Sequence, residues 1–243
     1  MYWKTIAGRC IHHGTDGARV YQNMTYRWLT LGSNALQTLI HRRHPERAGL
    51  AYIRPLTLAA TALPGASCLL GLGGANIAHT LAPIMGGAQF TAVESSQEVI
   101  GIASSFFMTT RLKHLTIIHQ DAHLFVQHHE EQYQHLMIDL FGAHSFPAHC
   151  KTAAFFDSCR GRLLPGGVLA LNLANLNEQW PILELIRQHF PQCTVLIPVR
   201  GTANLVILAY NGPRIIPLLD VLRQDRRLKK LTWCTRWGCV ATV

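Results

Sequence analysis

The sequence is short of charge, and of negative charge above all: 14% of its 243 residues are charged, and only 13 residues are Asp or Glu. Hydrophobic residues make up 49%, and no long low-complexity tract occurs, so we expect a sizeable folded core and little disorder. Twenty-two lysines and arginines leave a formal net charge of +9. Such a charge favours contact with anions but does not identify one.

The seven cysteines include no Cys-x-x-Cys pair, and their odd number and scattered positions do not suggest a disulfide framework. This usage is typical of a reducing compartment and lacks the spacing of a structural zinc site. The densest group of other potential metal ligands is His128, His129, Glu130 and Glu131. Side chains adjacent in sequence seldom converge on one ion, so we expect no metal.

No hydrophobic run is long enough to cross a membrane without interruption. The most apolar region, residues 56–85, is broken at Pro64, at a group of glycines and at Pro83. The first ten residues, MYWKTIAGRC, lack the long apolar stretch of a secretory signal. We therefore expect a cytoplasmic protein with no membrane contact.

Apolar runs recur between residues 68 and 210 and predict seven strands. They are residues 68–73, 89–94, 116–121, 135–141, 167–173, 193–199 and 204–210. Helix-like segments lie between several of them, at 75–81, 97–107, 152–163 and 178–190. This alternation is typical of βαβ units, but residues 200–203 are too short a link for anything except an antiparallel pair. The alternating units together with this closing antiparallel pair predict the α/β class I S-adenosylmethionine-dependent methyltransferase fold. This fold is a Rossmann-like seven-stranded sheet with a C-terminal antiparallel hairpin.

The pattern of apolar and polar residues is different before residue 55. Residues 17–38 alternate apolar and polar side chains around a Gly-Ser-Asn turn at 32–34, which predicts a β-hairpin or small meander. We expect two parts: a small N-terminal β-element over residues 1–55, and a Rossmann-like domain for cofactor binding and catalysis over residues 56–243.

The stretch CLLGLGGANIAHTL, residues 68–81, puts a glycine turn between a buried strand and a helix. Gly71, Gly73 and Gly74 carry no side chain, so a ligand can approach the backbone closely. Close helix–sheet packing without a ligand is the alternative explanation. A dinucleotide-binding fold is disfavoured because Asn76 stands where that pattern has glycine, and because of the terminal hairpin.

Three of the few carboxylates close consecutive predicted strands: Glu94, Asp121 and Asp139. Ligands of open parallel sheets bind beyond the carboxyl ends of the strands, so these side chains are expected to face one crevice. Glu94 follows Gly71 by 23 residues, close to the spacing of about 20 at which an acid binds ribose hydroxyls. Asp121 and Ala122 can contact an adenine edge, with Asp139 near the reacting end. The alternative is that each acid only caps the next helix.

Several segments resemble the spermidine synthase-like family, the polyamine aminopropyltransferases, from about residue 20 to residue 212. The segments that carry the resemblance include YRWLTLGSNALQT, LLGLGGANIAHTL, FTAVESSQEVIGIASSFF, IIHQDAHLFV and LLPGGVLALNL. The last is shared with many methyltransferases. The spacing of Pro147, Thr152 and the Phe155-Phe156 pair, together with ALQT, is more specific.

The resemblance implies S-adenosylmethionine or its decarboxylated form as cofactor, a small-molecule acceptor, and a homo-oligomer, with a dimer favoured. Glu94 would bind the ribose, Asp121 and Ala122 the adenine, and Asp139 would deprotonate the attacking amine. The expected cofactor contacts are Gln37, Gly71, Gly73, Gly74, Glu94, Ser95, Asp121, Ala122, Asp139 and Leu140. On the acceptor side we expect Tyr52, Arg54 and His144.

The sequence also departs from the family pattern. Gly74 stands where an aspartate binds the aminopropyl amine, and Ile53 and Arg54 replace a Gln or His followed by Glu. A second acid is replaced by Gly142, and Asn172 has no acid beside it. Desolvating a polyamine without paired carboxylates costs on the order of several kcal/mol. The cofactor half of the site is kept, and the polyamine half is altered.

Three functions remain open. The first is a spermidine synthase-like transferase that moves an aminopropyl group to an amine, with an altered polyamine site. The second is a class I methyltransferase with a neutral or anionic acceptor. The third is a non-catalytic relative that binds a nucleoside or a partner. The basic tail, residues 223–243, has two tryptophans but no nucleic-acid-binding motif, so we expect no nucleic acid partner.

Overall fold

The structure is a computed structural model that describes residues 2–33, 35–140 and 145–243. Its first part is a four-stranded antiparallel meander, with strands paired in chain order. The strands are β1 Arg9–His13, β2 Ala18–Gln22, β3 Tyr26–Leu31 and β4 Leu36–His41. One face packs on the rest of the chain, because Val20, Leu29 and Ile40 are fully buried in a cluster with Ile102 and Phe107.

The second part is a mixed sheet of nine strands with helices on both faces. Its strands are β5 Ser67–Leu70, β6 Phe90–Glu94, β7 Leu115–His119, β8 Tyr133–Ile138, β9 Leu163–Leu173, β10 Thr194–Pro198, β11 Leu205–Tyr210, β12 Lys230–Cys234 and β13 Gly238–Thr242. The order across the sheet is β12-β13-β10-β11-β9-β8-β5-β6-β7. The helices are α1 Ile53–Leu56, α2 Leu58–Ala62, α3 Asn76–Leu81, α4 Gln97–Phe106, α5 Ala122–His128, α6 Ala153–Gly161, α7 Leu176–His189 and α8 Ile216–Arg223.

The central strands have no polar face because both sides of the sheet are covered. In β5 all four residues are buried. Leu69 belongs to the hydrophobic cluster on one side, while Cys68 and Leu70 belong to the cluster on the other. Strands β5 to β9 pair in parallel, and β11 pairs antiparallel with both β9 and β10. The predicted α/β fold with an antiparallel hairpin is thereby confirmed.

The predicted number of strands was wrong: the sheet has nine, not seven. The two additional strands form a second hairpin, in which β12 pairs with β13 and β13 adds in parallel to β10. Its outer strand carries exposed residues, Trp233 among them, so it does not show the buried apolar run by which the other strands are recognised. The basic residues around it are instead typical of a helix end and a packed segment.

Helices α1, α2, α5 and α8 were not among the predicted segments. Helix α5 ends at His128, the first of the four adjacent residues considered above as potential metal ligands. Trp28 and Leu39 of the meander share a core cluster with Leu69 and Ile53 of the larger part. The division near residue 55 stays a prediction. None of the helices in the described part of the chain has the length and hydrophobicity that a bilayer-spanning segment requires.

Candidate functional site

A cavity of about 220 Å³ lies at the carboxyl ends of β5, β6 and β8, between the sheet and the meander. Ten residues that the sequence singled out line it: Gln37, Tyr52, Gly71, Gly73, Glu94, Ser95, Asp121, Ala122, Asp139 and Leu140. Its walls also include residues that the sequence did not single out, among them Leu31, Thr38, Leu72, Ile77, Gln120 and His149. The three predicted strand-end acids therefore do face one crevice.

Two predicted site residues that the structure describes, Gly74 and Arg54, do not line this cavity. Gly74 lies behind the turn, and its N–H donates to Thr38 Oγ1 at 2.7 Å. Arg54 is exposed and lines a different cavity, because it follows Tyr52 and Ile53 on the outer side of the first turn of α1. The contacts expected of Gly74 and Arg54 stay predictions. His144 lies outside the described residues.

The glycine turn brings the ends of β5 and β8 close together. Gly71 has a φ of +95°, and a Cβ there would overlap the carbonyl oxygen of Asp139. Gly73 also has a positive φ, +50°. At both positions the backbone faces the cavity with no side chain in the way, which is the shape that a ligand lying across the turn requires.

Alanine at position 71 is expected to destabilise the fold by about 3 kcal/mol, because it combines a left-handed backbone with overlap of a carbonyl oxygen. Urea unfolding of Gly71→Ala measures this. Gly101→Ala is the matched control, since Gly101 lies in α4 with open space around it, and alanine there should stabilise the helix by up to about 1 kcal/mol. Equal stability of the two variants would contradict this account of the turn.

Asn76 ties the turn to the chain that enters from the meander. Its Oδ1 accepts from the N–H of Gly49 at 2.8 Å, and its Nδ2 donates to the carbonyls of Pro45 and Arg47 at 3.1 and 3.2 Å. The asparagine that argued against a dinucleotide motif thus has a structural role. It fixes the segment that leads into Tyr52.

Glu94 ends β6 and braces the glycine turn from the side. Its Oε2 accepts from the N–H groups of Leu72 and Gly73 at 3.0 and 3.4 Å, and its Oε1 accepts from the N–H of Ser96 at 3.0 Å. A carboxylate has about four lone-pair positions, so these three bonds leave about one acceptor position toward the cavity. Glu94 can therefore hold the turn and accept a ligand hydroxyl together.

Asp121 caps α5, which is the role that the alternative explanation gave to an acid at the end of a strand. Its Oδ1 accepts from the N–H groups of His123 and Leu124 at 2.9 and 3.1 Å, and His149 Nε2 lies 2.9 Å from its Oδ2. Burial alone would raise the pKa of Asp121, but the hydrogen bonds from Leu124 and His149 outweigh it and the pKa is lowered. The capping role does not exclude a binding role, because Asp121 and His149 both line the cavity.

Asp139 ends β8 inside a network of three side chains. Tyr52 donates its hydroxyl to Oδ2 at 2.8 Å, and Asn172 donates Nδ2 to Oδ1 at 2.9 Å. Asn204 in turn donates to Asn172 Oδ1 at 2.9 Å, which fixes the orientation of the Asn172 amide. The Asp139 carboxylate is thus held in one orientation at the cavity.

Burial raises the pKa of Asp139, while the hydrogen bonds from Asn172 and Tyr52 act against this shift. The pKa of Tyr52 is also raised well above its usual value, by burial and by the neighbouring Asp139 charge. Tyr52 therefore remains a neutral donor. Asp139, once ionised, is a stronger proton acceptor than an exposed aspartate.

In the described ranges, no group of three or more His, Cys, Asp or Glu side chains is placed to hold a metal ion. Sequence reasoning missed Thr38 and His149 as cavity residues. Thr38 stands next to the matched Gln37, and His149 follows the matched Pro147 by two residues, so both adjoin positions already identified. Their closeness in sequence to Gln37 and Pro147 is the signal by which these two cavity residues could have been found.

No family model matches the chain. Among curated proteins it is similar to the polyamine aminopropyltransferase of Neisseria meningitidis serogroup A, with 24% identity over 211 residues that cover 85% of this chain and 80% of the relative. The polyamine aminopropyltransferase of Chromobacterium violaceum is 23% identical over 202 residues, covering 82% and 77%.

Solved structures give the same picture of the fold. A probable spermidine synthase from Corynebacterium glutamicum matches with a TM-score of 0.73 and 17% identity over 84% of this chain and 80% of that one. A spermidine synthase in complex with the transition-state analogue AdoDATO matches at 0.67 with 15% identity, covering 86% and 76%. Human methyltransferase-like protein 13 in complex with SAH matches at 0.62 with 17% identity, covering 72% and 90%.

Proposed function

We propose, on the premise that the chain is related at the level of the family to the spermidine synthase-like polyamine aminopropyltransferases, that it transfers an aminopropyl group from decarboxylated S-adenosylmethionine to an amine. The observation that carries the proposal is the Asp139 carboxylate, oriented by Tyr52 and Asn172 at the cavity beside the glycine turn. A strong, oriented proton acceptor beside a cavity lined by a glycine turn and strand-end acids suits an enzyme that activates an amine.

The residues of the cavity fit an S-adenosyl compound. The backbone at Gly71 and Gly73 forms a cradle that a Cβ at either position would narrow. Glu94 retains acceptor capacity for a ribose hydroxyl, and Asp121 and Ala122 are proposed to meet the adenine. Two of the structural neighbours were solved in complex with a ligand, one with AdoDATO and the other with SAH, and this supports an S-adenosyl compound as the ligand proposed here.

The proposed chemistry needs little covalent help from the protein. When bound, the cofactor supplies a carbon attached to a sulfonium sulfur, which leaves with the electron pair of the C–S bond as the amine nitrogen bonds to that carbon. The chain's own task is to accept the proton that the nitrogen loses. Asp139 takes it, and Tyr52 and Asn172 keep the accepting oxygens turned toward the cavity.

The acceptor side differs from that expected for a diamine or triamine. Arg54 lies outside the candidate active-site cavity. The buried, apolar Ile53 forms part of the wall of that cavity. On the acceptor side of the described cavity, Asp139 is therefore the single carboxylate. A polyamine with several charges would be poorly compensated there. We propose an acceptor with one amine at the reacting end and little positive charge elsewhere.

Methyl transfer is the second candidate. It is favoured by Gly74, whose N–H is bonded to Thr38, so no carboxylate at this position is available for a free aminopropyl amine. The likeness to a methyltransferase-like protein also suits it. A non-catalytic nucleoside-binding relative would not need an oriented Asp139, which makes it the weaker explanation.

Product analysis tests these alternatives. The purified chain is incubated with decarboxylated S-adenosylmethionine or S-adenosylmethionine and a panel of monoamines, diamines and amines that carry a carboxylate. Mass spectrometry then identifies the nucleoside product. We expect methylthioadenosine from the decarboxylated form, in an amine-dependent reaction. Formation of S-adenosylhomocysteine would establish methyl transfer instead. If neither product forms, a catalytic function is contradicted.

Tyr52→Phe is expected to move the acidic limb of the pH–rate profile to higher pH. Asp139 must be ionised to accept a proton, and its pKa is already raised by burial. Loss of the Tyr52 hydrogen bond removes one interaction that lowers this pKa, so activity should begin to fall at a higher pH as the solution is acidified. The profile of log(kcat/KM) against pH measures the shift. A limb that stays in place would show that Asp139 does not govern it.

A further inference from the structure

A second cavity, of about 650 Å³, lies on the other side of the segment that carries Tyr52. Five parts of the chain surround it: the 3-10 helix at Tyr2–Thr5, the segment from 48 to 58, the end of β10 with the link after it, the link between α8 and β12, and Val243. Its basic residues are Lys4, Arg54, Arg200, Arg226, Arg227 and Lys229. Arg226, Arg227 and Lys229 belong to the basic run RRLKK, and the tertiary structure brings the other three to them.

Most of this positive charge has no carboxylate to balance it. No Asp or Glu side chain lines the cavity among the described residues. Arg227 is bound by the neighbouring Asp225, with Nε at 2.9 and 3.1 Å from its two oxygens, and Lys4 Nζ donates to the carbonyl of Gly49 at 3.2 Å. The side chains of Arg54, Arg200, Arg226 and Lys229 form no ion pair with any described residue.

We propose that this second cavity binds a small polyanion with at least two phosphate or carboxylate groups. Cations held around one concave surface repel each other, and an anion between them removes that repulsion. The volume lies within the range of about 300–1,000 Å³ usual for small-ligand pockets. Trp3, Leu50 and Leu58 add apolar surface, so the ligand can also have an apolar body.

The second cavity is distinct from the candidate active site. The two cavities share no lining residue, and they lie on opposite sides of the segment from 49 to 55. Tyr52 and Ile53 face the first cavity, while Gly49 and Arg54 face the second. The proposal therefore gives Arg54 a role that does not depend on the transferase function. It also gives a role to the link before β12, part of the sheet extension that the sequence did not predict.

Isothermal titration with two probes tests the proposal: tripolyphosphate as a phosphate source and citrate as a carboxylate source. The variants are Arg200→Ala and Arg226→Ala, two exposed side chains from different links. Arg214→Ala is the matched control, because Arg214 is exposed, lies outside the cavity and changes the net charge equally. We expect one-to-one binding of at least one probe, weakened about 10-fold by each cavity variant and unchanged in the control.

Three results would overturn the proposal. The first is that neither probe binds with one-to-one saturation. The second is that Arg214→Ala weakens binding as much as Arg200→Ala, which would show attraction by the net charge alone. The third is that a single-stranded oligonucleotide binds while both small probes do not, which would indicate a macromolecular surface. Binding of tripolyphosphate but not citrate, or the reverse, would support the proposal and identify the anionic group.

Discussion

Asp139→Asn is expected to reduce the rate of group transfer by about 10³-fold, within the range that a general base contributes. Asparagine cannot accept the proton of the attacking amine, yet it fits the same space. The Tyr52 hydroxyl can accept as well as donate, so the hydrogen bonds to Tyr52 and Asn172 can both be rearranged to suit the amide. Single-turnover rates measure the loss, and binding of methylthioadenosine should change by less than about twofold.

The stability of this variant separates a chemical effect from a structural one. The raised pKa of Asp139 means that its ionisation opposes folding, so stability falls as the pH rises above the pKa of the unfolded chain, and the cost is complete above the raised pKa of the folded chain. The amide of Asp139→Asn has no charge to bury, and the variant should unfold at no lower a temperature than the natural chain at a pH of about 8. Asp220→Asn, an exposed position on α8, is the matched control for activity. Transfer at more than a tenth of the natural rate by Asp139→Asn would exclude Asp139 as the base.

Glu94→Ala is expected to weaken binding of methylthioadenosine about 100-fold. A hydrogen bond from a ribose hydroxyl to the carboxylate is worth about 1.5 kcal/mol, or about 10-fold in affinity, and loosening of the turn accounts for the remainder. The substitution also removes the acceptor for the N–H groups of Leu72, Gly73 and Ser96, so part of the loss can come from a loosened turn. Calorimetric titration measures the total effect.

A ligand without the ribose 2′-hydroxyl separates the two contributions. The natural chain should bind 2′-deoxy-methylthioadenosine about 10-fold more weakly than methylthioadenosine, and Glu94→Ala should bind the two alike. Glu184→Gln, on the exposed side of α7, is the control for loss of one negative charge. If Glu94→Ala still discriminates between the two ligands by the natural factor, then Glu94 only braces the turn.

The acidic residues of the candidate site could be predicted because they stand at strand ends. In a parallel sheet buried on both faces, strands are apolar runs, and the polar residue that ends each run is easily recognised. Glu94, Asp121 and Asp139 were found in this way, and the cavity contains all three. Gly71 could be found because a left-handed backbone so close to a carbonyl requires glycine.

The partnerships between those residues could not be predicted. Tyr52 and Asp139 are 87 residues apart, and Asn172 lies 33 residues further on, so their hydrogen bonds depend on how the whole sheet assembles. The family resemblance suggested Tyr52 and Asp139 separately, but not their contact. The sequence also could not show that Arg54 points away from Tyr52, because the turn of α1 decides the direction of each side chain.

The hairpin β12–β13 was missed because its outer strand is not a buried apolar run. At the edge of a sheet a strand is half exposed, so β12 alternates polar and apolar residues, and its Trp233 side chain is exposed. Lysines at an edge also discourage pairing with other chains. The same basic residues are typical of an exposed helix end followed by a packed segment, so the sequence did not indicate a strand here.

The most direct test of the central claim is a calorimetric comparison of decarboxylated S-adenosylmethionine with S-adenosylmethionine, each titrated into the natural chain. The second compound carries a carboxylate at the end that would approach Asp139, and two carboxylates held close together repel. We predict saturable binding of both, with the decarboxylated form at least about 10-fold tighter. Tighter binding of S-adenosylmethionine would contradict aminopropyl transfer, and no binding of either would contradict the nucleoside site itself.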